Sequence, residues 1–172
     1  MLEDQLKKRI GAFKDFPRDG IVFRDITPIL KEPKLFSKLV KKMSSSSIFN
    51  NSDCVVAIDA RGFIFASCIA SYLSKPLILA RKPGKLPGEI IENTYELEYG
   101  KNTLGLQVDS IKPYTNFAIV DDLLATGGTV NSVATLLREN NKVITGLSVV
   151  VELSELNARS NLDFEVSSEV LY

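Results

Sequence analysis

The chain has 172 residues, enough for one well-buried domain and hardly for two. It is 45% hydrophobic and 24% charged, with 21 basic residues balanced by 21 acidic ones. That suits a soluble globular protein and argues against nucleic-acid or membrane binding driven by net charge. There is no histidine, so a Ser-His-Asp triad, a Cys-His dyad and a His-ligated metal are excluded within this chain. The two cysteines, Cys54 and Cys68, form no C-x-x-C pair, and buried thiols are expected rather than a disulfide or zinc site. Acid–base work falls to Asp, Glu, Lys or Tyr, and any metal would be an oxygen-bound ion such as Mg²⁺. No apolar run approaches a spanning helix and no signal-like segment opens the chain, so a cytoplasmic address is expected.

In chain order, residues 1–13 read as an amphipathic helix with Leu2, Leu6, Ile10 and Phe13 on one side. Residues 16–20 (F-P-R-D-G) are a turn and 21–24 a short strand. Residues 33–43 form a helix with Pro33 in its first turn, and the serine-rich 44–52 reads as a solvated loop. A strand at 53–58 leads through a turn at 59–62 into an apolar helix at 63–73, and 76–80 is another strand. Residues 81–93 are polar with no clear period, and 94–99 and 103–108 pair as a hairpin-like excursion. After the strand–loop–helix of 118–139, Asn140 and Asn141 sit where a helix end wants left-handed backbone, which Asn tolerates. Residues 143–153 are β-rich and 164–172 close the sheet. Alternating strands and helices predict an α/β domain with a central, mainly parallel sheet flanked by helices.

The most informative stretch is 118–129, A-I-V-D-D-L-L-A-T-G-G-T. Ala118, Ile119 and Val120 suit a strand buried on both faces. Residues 125–128 carry little side chain, so backbone N–H groups can approach an anion, and the helix after Thr129 aims its positive end at the loop. Asp121 and Asp122 would repel that phosphate unless they face sugar hydroxyls or a metal through its water. Together these features imply a ribose 5-phosphate. The P-loop lysine and a G-x-G-x-x-G are both missing, which disfavours an NTPase or dinucleotide site. Asp59-Ala60-Arg61-Gly62 also follows a strand end, where α/β ligands bind, although alone it reads equally well as a surface turn.

This run resembles the phosphoribosyl pyrophosphate (PRPP) motif of type I phosphoribosyltransferases, and its V-D-D-L-L-A-T-G-G-T form looks like that of the adenine-using members. The resemblance covers nearly the whole chain. It implies one domain over 1–172, with a small N-terminal hood over about 1–32 and a flexible catalytic loop over about 81–100. It implies that Leu123, Ala125, Thr126, Gly127, Gly128 and Thr129 hold the 5-phosphate end of PRPP and that Asp121 and Asp122 hold its ribose hydroxyls. Ala60 and Arg61 would meet the pyrophosphate. R-K-P-G-K-L-P-G at 81–88 is similar to the family's closing loop, bringing Arg81, Lys82 and Lys85 to the same oxygens, with one or more of them reaching across a homodimer.

Tyr95-Glu96-Leu97-Glu98-Tyr99-Gly100 matches the family's Y-x-L-E-Y-G, which makes Glu98 the acid that exchanges a proton with the purine and Tyr99 its shield. On local sequence alone Glu98 reads as an exposed strand residue. F-P-x-x-G-I-V-F-R-D-I-T-P at 16–28 resembles the hood, where the backbone around Val22, Phe23 and Arg24 reads the adenine edge. Leu153 would pack on the purine face, and is otherwise a plain core leucine. The departures are Arg18-Asp19 before the hood glycine, Glu89 after the loop and the serine-rich segment. The implied reaction takes adenine and PRPP to AMP and pyrophosphate. Mg²⁺ would be carried by PRPP without a direct protein ligand, reached through water from Asp121 or Asp122. Glu98, Arg61, Lys82 and Lys85 would do the chemistry. The rivals are a phosphoribosyltransferase for another base and a non-enzymatic PRPP-binding regulator.

Overall fold

The computed structural model describes residues 1–97 and 100–172, with backbone alone for Glu96 and Leu97. Helix α1 (Leu2–Lys7) is shorter than its pattern predicts. Gly11, a poor helix former, instead opens β1 (Gly11–Lys14), which pairs antiparallel with β2 (Val22–Asp25). Leu6 and Ile10 are buried as the helical period requires, but Phe13 lies on the hairpin at 55% exposure. The long-range strand pairing overrides the extrapolated helix.

A single turn, α2 (Thr27–Leu30), precedes α3 (Pro33–Ser44), which starts on its proline and buries Leu35, Leu39, Val40 and Met43. The serine-rich segment is not simply solvated. A 3-10 turn over Ser47–Phe49 buries Ile48 and Phe49, whose apolar side chains prevail over their polar neighbours.

Strand β3 (Cys54–Ile58), helix α4 (Gly62–Leu73) and strand β4 (Leu77–Ala80) make a parallel crossover unit. Strands β5 (Ile90–Leu97) and β6 (Gly100–Gln107) form an antiparallel hairpin, so strand begins at Ile90, inside the stretch that shows no period in the sequence. The short helix α5 (Val108–Ile111) leads into β7 (Asn116–Leu124), α6 (Gly128–Glu139), β8 (Val143–Glu152) and β9 (Val166–Leu171). Asn141 takes the left-handed place after α6, at φ 59°.

The main sheet has the order β4-β3-β7-β8-β9, all parallel. Val55, Ala57, Ala118 and Val120 pack towards α3 and α4, while Val56, Ile58 and Ile119 pack towards α6 and the hairpin. Covering both faces explains why these strands are continuously apolar. Burial pushes the Cys54 thiol up to about 12, which leaves it an inert core group. Among the described residues no helix is long and apolar enough to cross a membrane.

The chain builds outward from β3 in one direction and from β7 in the other. The strand order therefore switches between β3 and β7, and a crevice opens at their C-terminal ends.

Candidate active site at the sheet switch point

Strand β7 outruns β3. Their pairing covers Phe117 to Val120 on β7, whereas β8 accompanies β7 as far as Leu124. Asp121 and Asp122 are thus strand residues, not loop residues, placed where one neighbour has ended. Both are buried. Desolvation raises both carboxyls above their usual range, Asp121 the further because Asp122 adds a second negative charge beside it. The Asp122 backbone N–H donates to Asp121 Oδ1 at 2.8 Å.

Arg61, just before α4, reaches across from the β3 side. Its Nη2 lies 2.8 Å from Asp122 Oδ2, an ion pair without hydrogen-bond alignment, which leaves that oxygen without a hydrogen bond among the described residues. The approach depends on Gly62. A Cβ there would sit 2.9 Å from both Val120 O and Asp121 Oδ1, so any side chain would push the start of α4 off the strand.

The cleft between these elements has a volume of about 310 Å³. Ala60, Arg61, Lys82, Asp121, Asp122 and Thr129 all line it. Asp59, which the sequence reading did not single out, accepts from Arg81 Nε at 3.2 Å and from the Lys82 N–H at 3.5 Å. Arg81 is further held by paired backbone bonds to Gly105 at 2.9 and 2.7 Å. Lys85 is exposed and does not line the cleft. Glu98 and Tyr99 lie outside the described residues.

A second recess of about 200 Å³ adjoins the first and is lined by Arg61 and residues 121–130, Leu123 included. Gly127 turns the chain here with φ 87° and stands as the N-cap of α6. The first N–H groups of α6 have no partner within the helix, and its dipole adds positive charge. Ala125, Thr126, Gly127 and Gly128 carry little side chain and line the recess, so this is a backbone cradle for an anion.

The third opening, about 720 Å³, lies under the β1–β2 hairpin. Val22 and Arg24 line one side, Leu153 and Leu156 the other, and Ala125 and Thr126 form its floor beside the cradle. Phe23 points elsewhere, with its ring 5.2 Å from that of Phe16 and 5.2 Å from the Arg61 guanidinium. The Arg24 guanidinium stacks 3.7 Å over the Tyr172 ring.

Three groups escaped sequence reasoning. Tyr95 donates to Thr129 Oγ1 at 3.1 Å. Glu155 and Leu156 line the hood cleft from a 3-10 turn. Arg159 grips buried Glu152 through Nε and Nη2, both at 2.7 Å.

An anion cradle, a pair of buried carboxylates and an apolar-walled slot meet around Ala125 and Thr126, a layout that suits a phosphorylated sugar joined to a flat base. Comparison with known proteins agrees. A family model described as the phosphoribosyl transferase domain matches residues 25–168. The sequence is 68% identical to an adenine phosphoribosyltransferase of Prochlorococcus marinus (strain MIT 9215) over 172 residues, all of both chains. The fold matches the crystal structure of adenine phosphoribosyltransferase from Thermoanaerobacter pseudethanolicus with a TM-score of 0.93 and 36% identity, covering 100% of each chain. It also matches the Saccharomyces cerevisiae enzyme, complexed with D-2,5-dideoxy-2,5-imino-altritol 1,6-bisphosphate and adenine, with a TM-score of 0.89 and 32% identity over 98% of each chain.

Proposed function

The chain belongs to the phosphoribosyl transferase family, and on that premise we propose that its reaction is transfer of the 5-phosphoribosyl group of PRPP to adenine, giving AMP and pyrophosphate. The observation that carries this reading is the junction at Ala125 and Thr126, which belong to both the anion cradle and the apolar slot. A ribose bound between the two puts its anomeric carbon within reach of a base in the slot.

The bond from that carbon to the pyrophosphate oxygen breaks, and a bond to purine N9 forms. Departure runs ahead of attack, so positive charge builds on the ribose ring. The protein's part is positioning and electrostatics. The cradle N–H groups hold the 5-phosphate. Asp121 and Asp122 accept hydrogen bonds from the ribose hydroxyls. Before substrate binds, Arg61 is paired with Asp122. Incoming pyrophosphate competes for that guanidinium and frees Asp122 for the sugar. Lys82 lines the cleft, and Lys85 and Arg81 join it around the leaving group when the loop closes. Glu98 exchanges the purine proton, with Tyr99 beside it. The hood backbone at Val22, Phe23 and Arg24 reads the base edge, and Leu153 packs on the base face.

Asp121 and Asp122 also fit a Mg²⁺ carried by the substrate. They are oxygen donors, and Asp122 Oδ2 lacks a hydrogen bond among the described residues. Bound there through water, Mg²⁺ would neutralise charge on the pyrophosphate. A homodimer is part of this reading, supported by exposed Ile64, Tyr72 and Leu77 along α4 and the β4 edge, which a second copy would cover.

The test is product formation with Mg²⁺-PRPP and adenine, hypoxanthine, guanine or orotate in parallel. AMP from adenine alone is expected. Turnover of another base would reassign the slot. PRPP-dependent thermal stabilisation with no turnover would make the protein a regulator.

A further inference from the structure

We propose that Tyr95 is a positioning residue for the sugar phosphate: it orients the Thr129 hydroxyl as a donor into the cradle and so couples the β5–β6 hairpin to phosphate binding. The inference rests on the reading of residues 125–129 as the phosphate site.

Thr129 is the second residue of α6 and lines both the main cleft and the cradle recess. Tyr95 donates to its Oγ1 at 3.1 Å. A phenol is a stronger acid than an aliphatic alcohol, so this direction is the favoured one. A threonine hydroxyl has one proton to give. With its oxygen already accepting from Tyr95, it can satisfy that proton only by donating, and among the described residues no acceptor takes it. An anion at the helix N-terminus is the acceptor that fits. The chain from phenol to hydroxyl to phosphate then polarises along its length, and each bond strengthens the other.

The hairpin is laid along α6 by two contacts in register. Asn93 Nδ2 donates to Ser132 O, and Ser132 Oγ donates to Asn93 O, both at 3.4 Å. Residues 93 and 95 share one face of β5, because strand side chains alternate. Residues 129 and 132 share one face of α6, because helical neighbours recur three apart. The Asn93–Ser132 contact is part of the framework. Only the Tyr95–Thr129 contact lies in the first turn of the helix, where a bound anion can act on it. Phosphate in the cradle therefore tightens the attachment of the strand that leads directly to Glu98.

The test is a double-mutant cycle on the full chain with Tyr95→Phe, which keeps the ring, and Thr129→Val, which keeps the shape. Calorimetry with ribose 5-phosphate reads the site directly. Tyr95→Phe is expected to weaken binding about fivefold and Thr129→Val by more, while Tyr95→Phe in the Thr129→Val background changes it less than about twofold. In steady state, Tyr95→Phe raises the KM for PRPP and leaves the KM for adenine unmoved, a split that general loosening of the fold would not produce. Unchanged ribose 5-phosphate affinity in Tyr95→Phe, or fully multiplicative losses, would overturn the coupling alone. Failure of the wild-type protein to bind ribose 5-phosphate would overturn the phosphate reading and the coupling with it. If Thr129→Val does not fold, Thr129→Ala replaces it in the cycle.

Discussion

The cradle and the hood slot are neighbours built on opposite plans. The cradle is one continuous stretch, residues 121–130, and its working groups are backbone N–H groups and two strand carboxylates. The walls of the slot are residues 19–22 with Arg24 on one side and Leu153, Glu155 and Leu156 on the other, which meet only in the folded chain. The Arg24–Tyr172 stack ties it to a residue distant in sequence, and the Arg159–Glu152 pair braces it locally, across seven positions. A backbone site fails when a side chain intrudes, whereas a side-chain wall fails by degrees. Damage to the first should therefore be near-complete and damage to the second graded.

The largest effect is expected at Gly127. Its φ of 87° suits glycine, and the space above it is bounded by the Ala158 Cβ at 3.4 Å from a built Cβ. Gly127→Val should lower kcat/KM for PRPP by about 100-fold or more, since backbone strain of about 1–3 kcal/mol adds to displacement of the donors. Retention of activity within fivefold would show that the cradle is not a backbone site.

Asp121→Asn comes next and separates function from stability. Activity should fall by about 10- to 100-fold through loss of a hydroxyl acceptor. Stability should move the other way. The Asp121 carboxyl is raised above its unfolded value by burial and by Asp122. The stabilisation of the neutral form is full below the unfolded pKa and is lost as pH rises through the folded one. Above the folded pKa the wild type has lost it and the amide has not, so there Tm should rise by roughly 2–4 °C per kcal/mol regained. The gap should close as the pH is lowered. A variant Tm that falls further below the wild type as pH rises would contradict this account.

Leu153→Ala probes the graded wall. Removing a half-buried side chain costs about 1 kcal/mol of contact with the base, so the KM for adenine should rise about fivefold while the KM for PRPP stays level. Equal rises in both would mean that Leu153 supports the core rather than the slot.

The smallest effect is expected at Arg159, whose hydrogen bonds hold the Glu152 carboxyl below its usual range. A depressed carboxylate contributes stability that is present above the unfolded pKa and lost as pH falls through the folded one. Arg159→Ala should cost about 1 kcal/mol at pH 7, kept small because the guanidinium is half exposed, and less once Glu152 is protonated, when only its bonds to Val166 O and Ser168 Oγ are lost. Thermal melts from pH 7 down to strongly acid pH would read the convergence.

Local chemistry made much of this legible in advance. The β7–α6 junction could be read because apolar strand, carboxylates, small-residue turn and helix follow one another without interruption, and each signal acts over a few residues. The parallel order of the sheet followed from alternating periods. The errors fell where a distant partner decides. The helical pattern of Leu2, Leu6 and Ile10 was extended to Phe13, although β2 captures that segment as a strand. The serines at 44–47 masked Ile48 and Phe49, which the core takes in.

By itself, then, the sequence determined the strand–loop–helix at 118–139, the two adjacent carboxylates and the absence of histidine chemistry, because propensity, alternation and residue type are local properties. Only the tertiary structure decided that β7 outruns β3 and so brings Asp121 and Asp122 to the crevice, that Arg61 reaches over to pair with Asp122, and that Tyr95 meets Thr129. Those contacts join residues 34 to 61 positions apart, and no short-range preference encodes them. Burial of both faces of one sheet is what brings them together.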